Sequence, residues 1–90
     1  MRLDWDEVKA GRNFAKHGVS FQEAATVFGD ILGWTYPDSL HSELERRWIT
    51  VGISERQRIL VVAHSEEAGL FRIISAREAT RKERKFYEEG

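Results

Sequence analysis

Residues 46–75 read RRWITVGISERQRILVVAHSEEAGLFRIIS, and the fold class turns on them. From Arg46 to Ser54 the side chains alternate, with Arg47, Ile49, Val51 and Ile53 on one face of a strand and Arg46, Trp48, Thr50 and Gly52 on the other. Glu55 to Arg58 is a short polar connection. Ile59 to His64 is an almost unbroken apolar run of the kind that suits a central strand. Ser65 to Gly69 then reads as a turn and Leu70 to Ser75 as a last strand. Sequential strands with connections this short predict an antiparallel meander.

Helices flank this block. Upstream, Arg2 to Trp5 reads as a first short strand. Asp6 is placed to cap a helix running to His17, and Gly18 stands where a left-handed C-cap residue belongs. Lys16 and His17 fall in its last turn, where positive charge meets the negative end of the helix. Ser20 followed by Glu23 is a capping box, and Phe21, Ala24, Ala25 and Phe28 form one apolar stripe. Gly29 and Asp30 end that helix. Ile31 to Tyr36 reads as a short strand broken by Pro37 and Asp38, and His41 to Glu45 as a loop or strand extension. Downstream, Thr80 with Glu83 is a second capping box, opening a polar helix that reaches Glu89 with Ala79, Phe86 and Tyr87 as its few anchors. The order is β-α-α-β-β-β-β-α, an α+β class with a compact antiparallel sheet, one face covered by helices and the other partly open.

Composition narrows the function classes. Ninety residues make one domain, 1–90, with room for one modest core. Values of 41% hydrophobic and 32% charged residues are those of a globular chain. No cysteine is present, which excludes thiol catalysis and Cys-based zinc sites. With an N-terminus that carries no apolar segment, this points to a cytoplasmic protein with no membrane partner. Net charge is -1, but it is unevenly spread. Residues 72–85 carry Arg72, Arg77, Arg81, Lys82, Arg84 and Lys85 against Glu78 and Glu83, a local +4, while residues 23–67 amount to a local -4. A +4 stretch attracts phosphate; a solvated helix of mixed charge accounts for it equally well.

Several chemistries find no support in the spacing. His17, His41 and His64 are scattered, with no HExxH or similar zinc pattern. Asp4-Trp5-Asp6-Glu7 is acidic, but N-capping explains it better than a two-metal site. No Gly-rich phosphate loop is present, so no cofactor is expected. The arginines make a better case. Arg72 lies inside the last strand, Arg77 just beyond it, and Arg46 opens the strand after the acidic loop. Together they would orient a phosphodiester and stabilise its extra transition-state charge; ion pairs with Glu43, Glu45 or Glu78 are the structural alternative. RNA cleavage without metal also needs groups that move protons near neutral pH, for which His17 and His64 are candidates and Glu45 a further possible base. Lys16 beside His17, the basic Arg81 and the Tyr87 hydroxyl or ring are candidate substrate contacts. Trp34 and Trp48 could stack on single-stranded RNA, or serve as core or partner contacts.

Taken together, several segments resemble the BrnT family of bacterial type II toxin–antitoxin systems. They are Trp5-Asp6, Asn13, the run KHGVSF at 16–21, Glu23-Ala24-Ala25, Val27-Phe28, Glu45-Arg46, the run RIISAR at 72–77, Ala79, Glu83-Arg84 and Tyr87. The resemblance spans nearly the whole chain in order. Glu7 stands where many relatives have Pro; either residue suits a first helical turn. The resemblance implies a RelE-like fold and a toxin that degrades RNA and so arrests translation. It also implies a BrnA-like antitoxin, a toxin homodimer within the antitoxin complex, and operator DNA contacted through the antitoxin. The family's basic and polar positions correspond to Lys16, His17, Glu45, Arg46, Arg72, Arg77 and Tyr87. The expectation is a metal-independent endoribonuclease. The alternatives are a noncatalytic protein-binding module of a DNA-binding repressor complex and a single-stranded RNA binder without turnover.

Overall fold

A two-residue turn sets the length of the longest hairpin. In the computed structural model, which describes residues 2–39 and 46–90, Ala68 and Gly69 both have positive φ (52° and 81°). Such a turn matches the right-handed twist of paired strands. The strands therefore run further than their apolar cores: β4 is Ile59–Glu67 and β5 is Leu70–Glu78. Arg77, expected just past the last strand, lies within β5. The remaining strands are β1 (Arg2–Trp5), β2 (Trp34–Pro37) and β3 (Arg47–Ile53). The helices are α1 (Glu7–His17), α2 (Phe21–Thr26) and α3 (Arg81–Glu89), with a single 3-10 turn, Val27–Gly29, after α2.

The α+β class and the expected element order both hold. The sheet has five strands in the order β1-β5-β4-β3-β2. Four of them form the antiparallel meander, but β1 pairs parallel to β5, with Trp5 opposite Ile73, so the sheet is mixed rather than purely antiparallel. The reason is the crossover: α1, α2 and β2–β4 intervene before β5 returns beside β1, so no hairpin dictates the direction. Ile31 and Leu32 also depart from expectation. They sit exposed in a turn, because the Asp30 carboxylate accepts from the Leu32 and Ile53 backbone N–H groups at 3.0 and 2.8 Å and holds the chain there.

The caps work largely as read. Asp6 accepts from the Val8 and Lys9 N–H groups, which hold its carboxyl below the usual range, and Gly18 adopts the left-handed conformation at φ 69°. The Thr80–Glu83 box is reciprocal. Ser20 caps α2, but the Glu23 carboxylate turns away to Arg58 and to the Ser54 hydroxyl. Arg58 above all holds the Glu23 carboxyl below its usual range, and the trio ties α2 to the β3–β4 turn.

One sheet face carries the core. Val19, Phe21, Ala24 and Val27 pack on Leu60, Val62, Ile73 and Ala76, with Leu3, Trp5 and Phe28 around them. Gly52 lets the 3-10 turn approach β3; a Cβ there would meet Val27 Cγ1 at 2.9 Å. The opposite face carries Arg47, Ile49, Val51, Val61, Ala63 and Arg77, and only α3 lies against part of it among the described residues.

Candidate functional site

On that open face a cleft of about 430 Å³ is lined by polar groups His17, Asp38, Arg47, Ser75 and Arg77 over a floor that includes Ile49, Val61 and Ala63. Each side chain arrives for a local reason. Arg47 and Arg77 occupy the open-face register of β3 and β5, Arg77 directly opposite Val61. Ser75 follows an irregularity in β5: Ala63 pairs with Ser75 and His64 with Ile73, so Ile74 is an extra residue. Strict alternation would put Arg72 and Arg77 on opposite faces. The bulge reverses the phase, so Arg72 (opposite Ser65) and Arg77 (opposite Val61) share the open face.

His17 reaches the cleft through Asn13. Beyond Trp5 the outer edge of β5 has no strand beside it. The buried Asn13 amide takes that place, donating to the Ala76 carbonyl at 2.8 Å and accepting from the Ala76 N–H at 3.0 Å, while its second N–H meets the Val19 carbonyl at 2.9 Å. This fixes α1 against the sheet edge. His17, one turn on and on the same helix face, comes beside Ser75 and Arg77.

Arg77 is clamped through its two terminal nitrogens. The Glu83 carboxylate accepts from Nη1 and Nη2 at 2.7 and 2.9 Å, and the Glu78 carbonyl accepts from Nη1 at 3.2 Å. Glu83 is in turn fixed by the Thr80 N–H at 2.8 Å. The guanidinium drives the Glu83 carboxyl down to about 2, against its burial, so the pair stays ionised. Among the described residues this leaves the Nε–H and one Nη2–H of Arg77 without an acceptor. Two parallel N–H groups of that kind match two oxygens of a phosphate.

The other expected site residues separate. Arg72 is on the open face but outside the cleft, paired with Asp4 at 3.1 Å. With Ser65 and Arg47 it forms a row across three strands, roughly 10 Å from Arg47 at the usual strand spacing. Arg46 is exposed and flanks a neighbouring hollow with Pro37, Arg47 and Trp48. Lys16 and Arg81 are exposed and line neither the cleft nor that hollow. Tyr87 donates its hydroxyl to Asp30, which above all pushes the phenol up to about 12. It is a tie between α3 and the 30–33 turn rather than a proton donor. Glu45 and His41 lie outside the described residues.

His64 does not belong to this site. It is 0% exposed on the helix-covered face, between Phe28 and a stacked Phe71, with Nε2 2.7 Å from the Thr50 hydroxyl. Burial pushes its imidazole below the ordinary value, so it sits neutral in the core. No phosphate reaches it there. Sequence reasoning passed over Arg47, Asp38 and Ser75 as site residues, and it named Asn13 in the resemblance and Glu83 in the cap, but neither as a positioning group. Arg47 did carry a signal, as an arginine sharing its face with Ile49, Val51 and Ile53.

An open cleft with two guanidiniums and an imidazole in its lining suits recognition of a phosphodiester and proton transfer beside it. No curated protein matches the chain. In fold it is similar to the crystal structure of the Brucella abortus ribonuclease toxin, BrnT, with a TM-score of 0.69 and 24% sequence identity over 90% of this chain and 99% of that one. At that identity the likeness shows the fold alone. Residues 5–83 match the sequence profile of the ribonuclease toxin, BrnT, of type II toxin–antitoxin systems, and the chain belongs to that family.

Proposed function

We propose that this protein is a metal-independent endoribonuclease, active on RNA in the cytoplasm, that arrests translation until a cognate antitoxin neutralises it. One observation carries the proposal: His17, Arg47 and Arg77 line the same cleft. Arg77 presents its Nε/Nη2 edge to the scissile phosphate, and Arg47 adds charge from the opposite wall. His17 takes the proton from the 2′-hydroxyl or supplies one to the leaving 5′-oxygen, and Asp38 and Ser75 supply further polar contacts. The 2′-oxygen attacks phosphorus, the bond to the 5′-oxygen breaks, and a 2′,3′-cyclic phosphate remains. Arg72 and Arg46, outside the cleft, steer flanking phosphates. The metal-independent reading draws support from the cleft's polar groups, which are two guanidiniums, an imidazole and a hydroxyl against a single carboxylate. The family's antitoxin supplies the operator-DNA contact, in a complex built on a toxin dimer.

The test is purified toxin, freed of antitoxin, incubated with RNA in EDTA. Cleavage is expected, with Arg77→Ala and His17→Ala each slowing it about 100-fold or more while remaining folded. Arg72→Ala should cost less. An RNA bearing one 2′-deoxy sugar at the cut site should resist. Normal cutting of that RNA with metal chelated would overturn the mechanism.

A further inference from the structure

Beside the cleft lies a second, apolar groove of about 490 Å³, lined by Trp34, Tyr36, Val51, Lys82, Glu83 and Phe86. Trp34 and Phe86 are exposed aromatics whose ring centroids stand 5.4 Å apart, tilted by 54°, so neither ring stacks flat over the other. Exposed aromatic surface of this kind on a small protein calls for an occupant. Three features bear on which one. Glu83 is shared: it lines the groove and clamps Arg77 in the cleft. Tyr36 of the groove pairs opposite Ile49 of the cleft floor, and burial together with the Glu83 charge pushes its phenol up, so it stays a neutral hydroxyl. The groove's α3 wall also carries Lys82, with Arg81, Arg84 and Lys85 exposed on the same helix.

We infer that this groove is a nucleobase subsite, holding a base that flanks the scissile phosphate by stacking on Trp34 and Phe86 while α3 attracts the adjoining backbone. The inference rests on the ribonuclease reading of the cleft and names the part of the substrate that lies beside it. An aromatic platform with cationic side chains nearby, here Lys82 in the groove wall, is how proteins hold single-stranded nucleic acid, because every base offers a π face. Across the sheet the row Arg77–Val61–Val51–Trp34 spans three strand spacings, roughly 14 Å, within reach of a short oligonucleotide. Adjacency to the arginine-lined cleft, through the Glu83–Arg77 ion pair, favours the substrate strand over a separate protein segment.

The decisive experiment uses the full chain and a short RNA 2′-O-methylated throughout, which cannot be cut. Each base in turn is replaced by an abasic residue, and affinity is read by fluorescence anisotropy. Wild type should lose about tenfold in Kd at one position. Trp34→Ala should bind the intact strand about tenfold more weakly and show no further loss when that base is removed. Trp34→Phe should retain most of the affinity, and Val8→Ala, an exposed apolar change on α1, all of it. If the losses from Trp34→Ala and base removal simply add at every position, the subsite is refuted. Unchanged RNA affinity in Trp34→Ala, with weakened binding of antitoxin, likewise overturns it and makes the groove a protein dock. Failure of the wild type to cut unmodified RNA would instead sink the ribonuclease reading, a different result from either.

Discussion

In the proposed mechanism the ion pair between Arg77 and Glu83 joins stability to activity in one contact. Glu83→Gln keeps the size and the Thr80 contact but removes the charge that fixes the guanidinium. The turnover of RNA is expected to fall about tenfold, with KM changed less, as single-turnover and steady-state assays would resolve. An increase in activity would mean that Glu83 restrains Arg77 rather than presents it. His64 makes a separate, acid-side prediction. Its folded pKa is depressed by burial, so the unfolded chain takes up the proton first as pH falls. The stability it supports is complete above its ordinary value of about 6.5 and is lost as pH drops from there toward the folded value. Thermal melts between pH 8 and 5 should show that decline in the wild type and a flatter profile in His64→Gln. Equal slopes would refute the assignment. Glu83 acts lower: its contribution is present above about 4.5 and is lost as pH falls toward 2.

At the level of elements, α1 is more than a cover for the core. Its Asn13 amide stands in for a missing strand at the Ala76 edge of β5 and thereby sets where His17 ends up. Asn13→Ala would strand a buried N–H and two carbonyls, costing about 2–3 kcal/mol. Urea denaturation should register that loss. RNA cleavage measured well below the unfolding transition should also fall, since His17 loses its anchor. A folded variant with full activity would show that α1 is positioned by its apolar contacts alone. The third helix is docked by side chains of three kinds: the Arg77–Glu83 ion pair, the Trp34–Phe86 contact and the Tyr87–Asp30 hydrogen bond. Its own surface is too polar to bury a stripe, so these ties decide its place.

Over the whole molecule, one sheet face is packed and the other presents arginines, and the proposed function rests on that asymmetry. Membership of a type II toxin–antitoxin family implies an antitoxin. On the function proposed above, the open face is the surface whose covering would silence the toxin. Stoichiometric antitoxin is expected to suppress RNA cleavage and to raise the melting temperature. At a free antitoxin concentration of about 100 times Kd, linkage predicts about 2.7 kcal/mol of added stability. Full activity in a stoichiometric complex would contradict this account of neutralisation.

Local chemistry was legible in the chain itself. Asp6, Ser20, Thr80 and Gly18 act through hydrogen bonds or backbone torsions a few residues long, so their motifs announced the helix ends. Alternation in Arg46–Ser54 and the apolar run from Ile59 announced β3 and β4, and the KHGVSF and RIISAR segments carried the family resemblance that the profile match bears out. What only the tertiary structure decided is which residues meet. A period of two tells which side chains share a face, not which face the helices cover, so His64 fell to the core and Arg47 to the cleft. The bulge at Ile74 placed Arg72 and Arg77 on one side by shifting phase against β4, a matter of pairing between two strands that the pattern of one strand does not encode. The parallel seat of β1 and the Asn13 bridge to Ala76 are longer in range: contacts more than sixty residues apart, fixed only when the whole sheet has assembled.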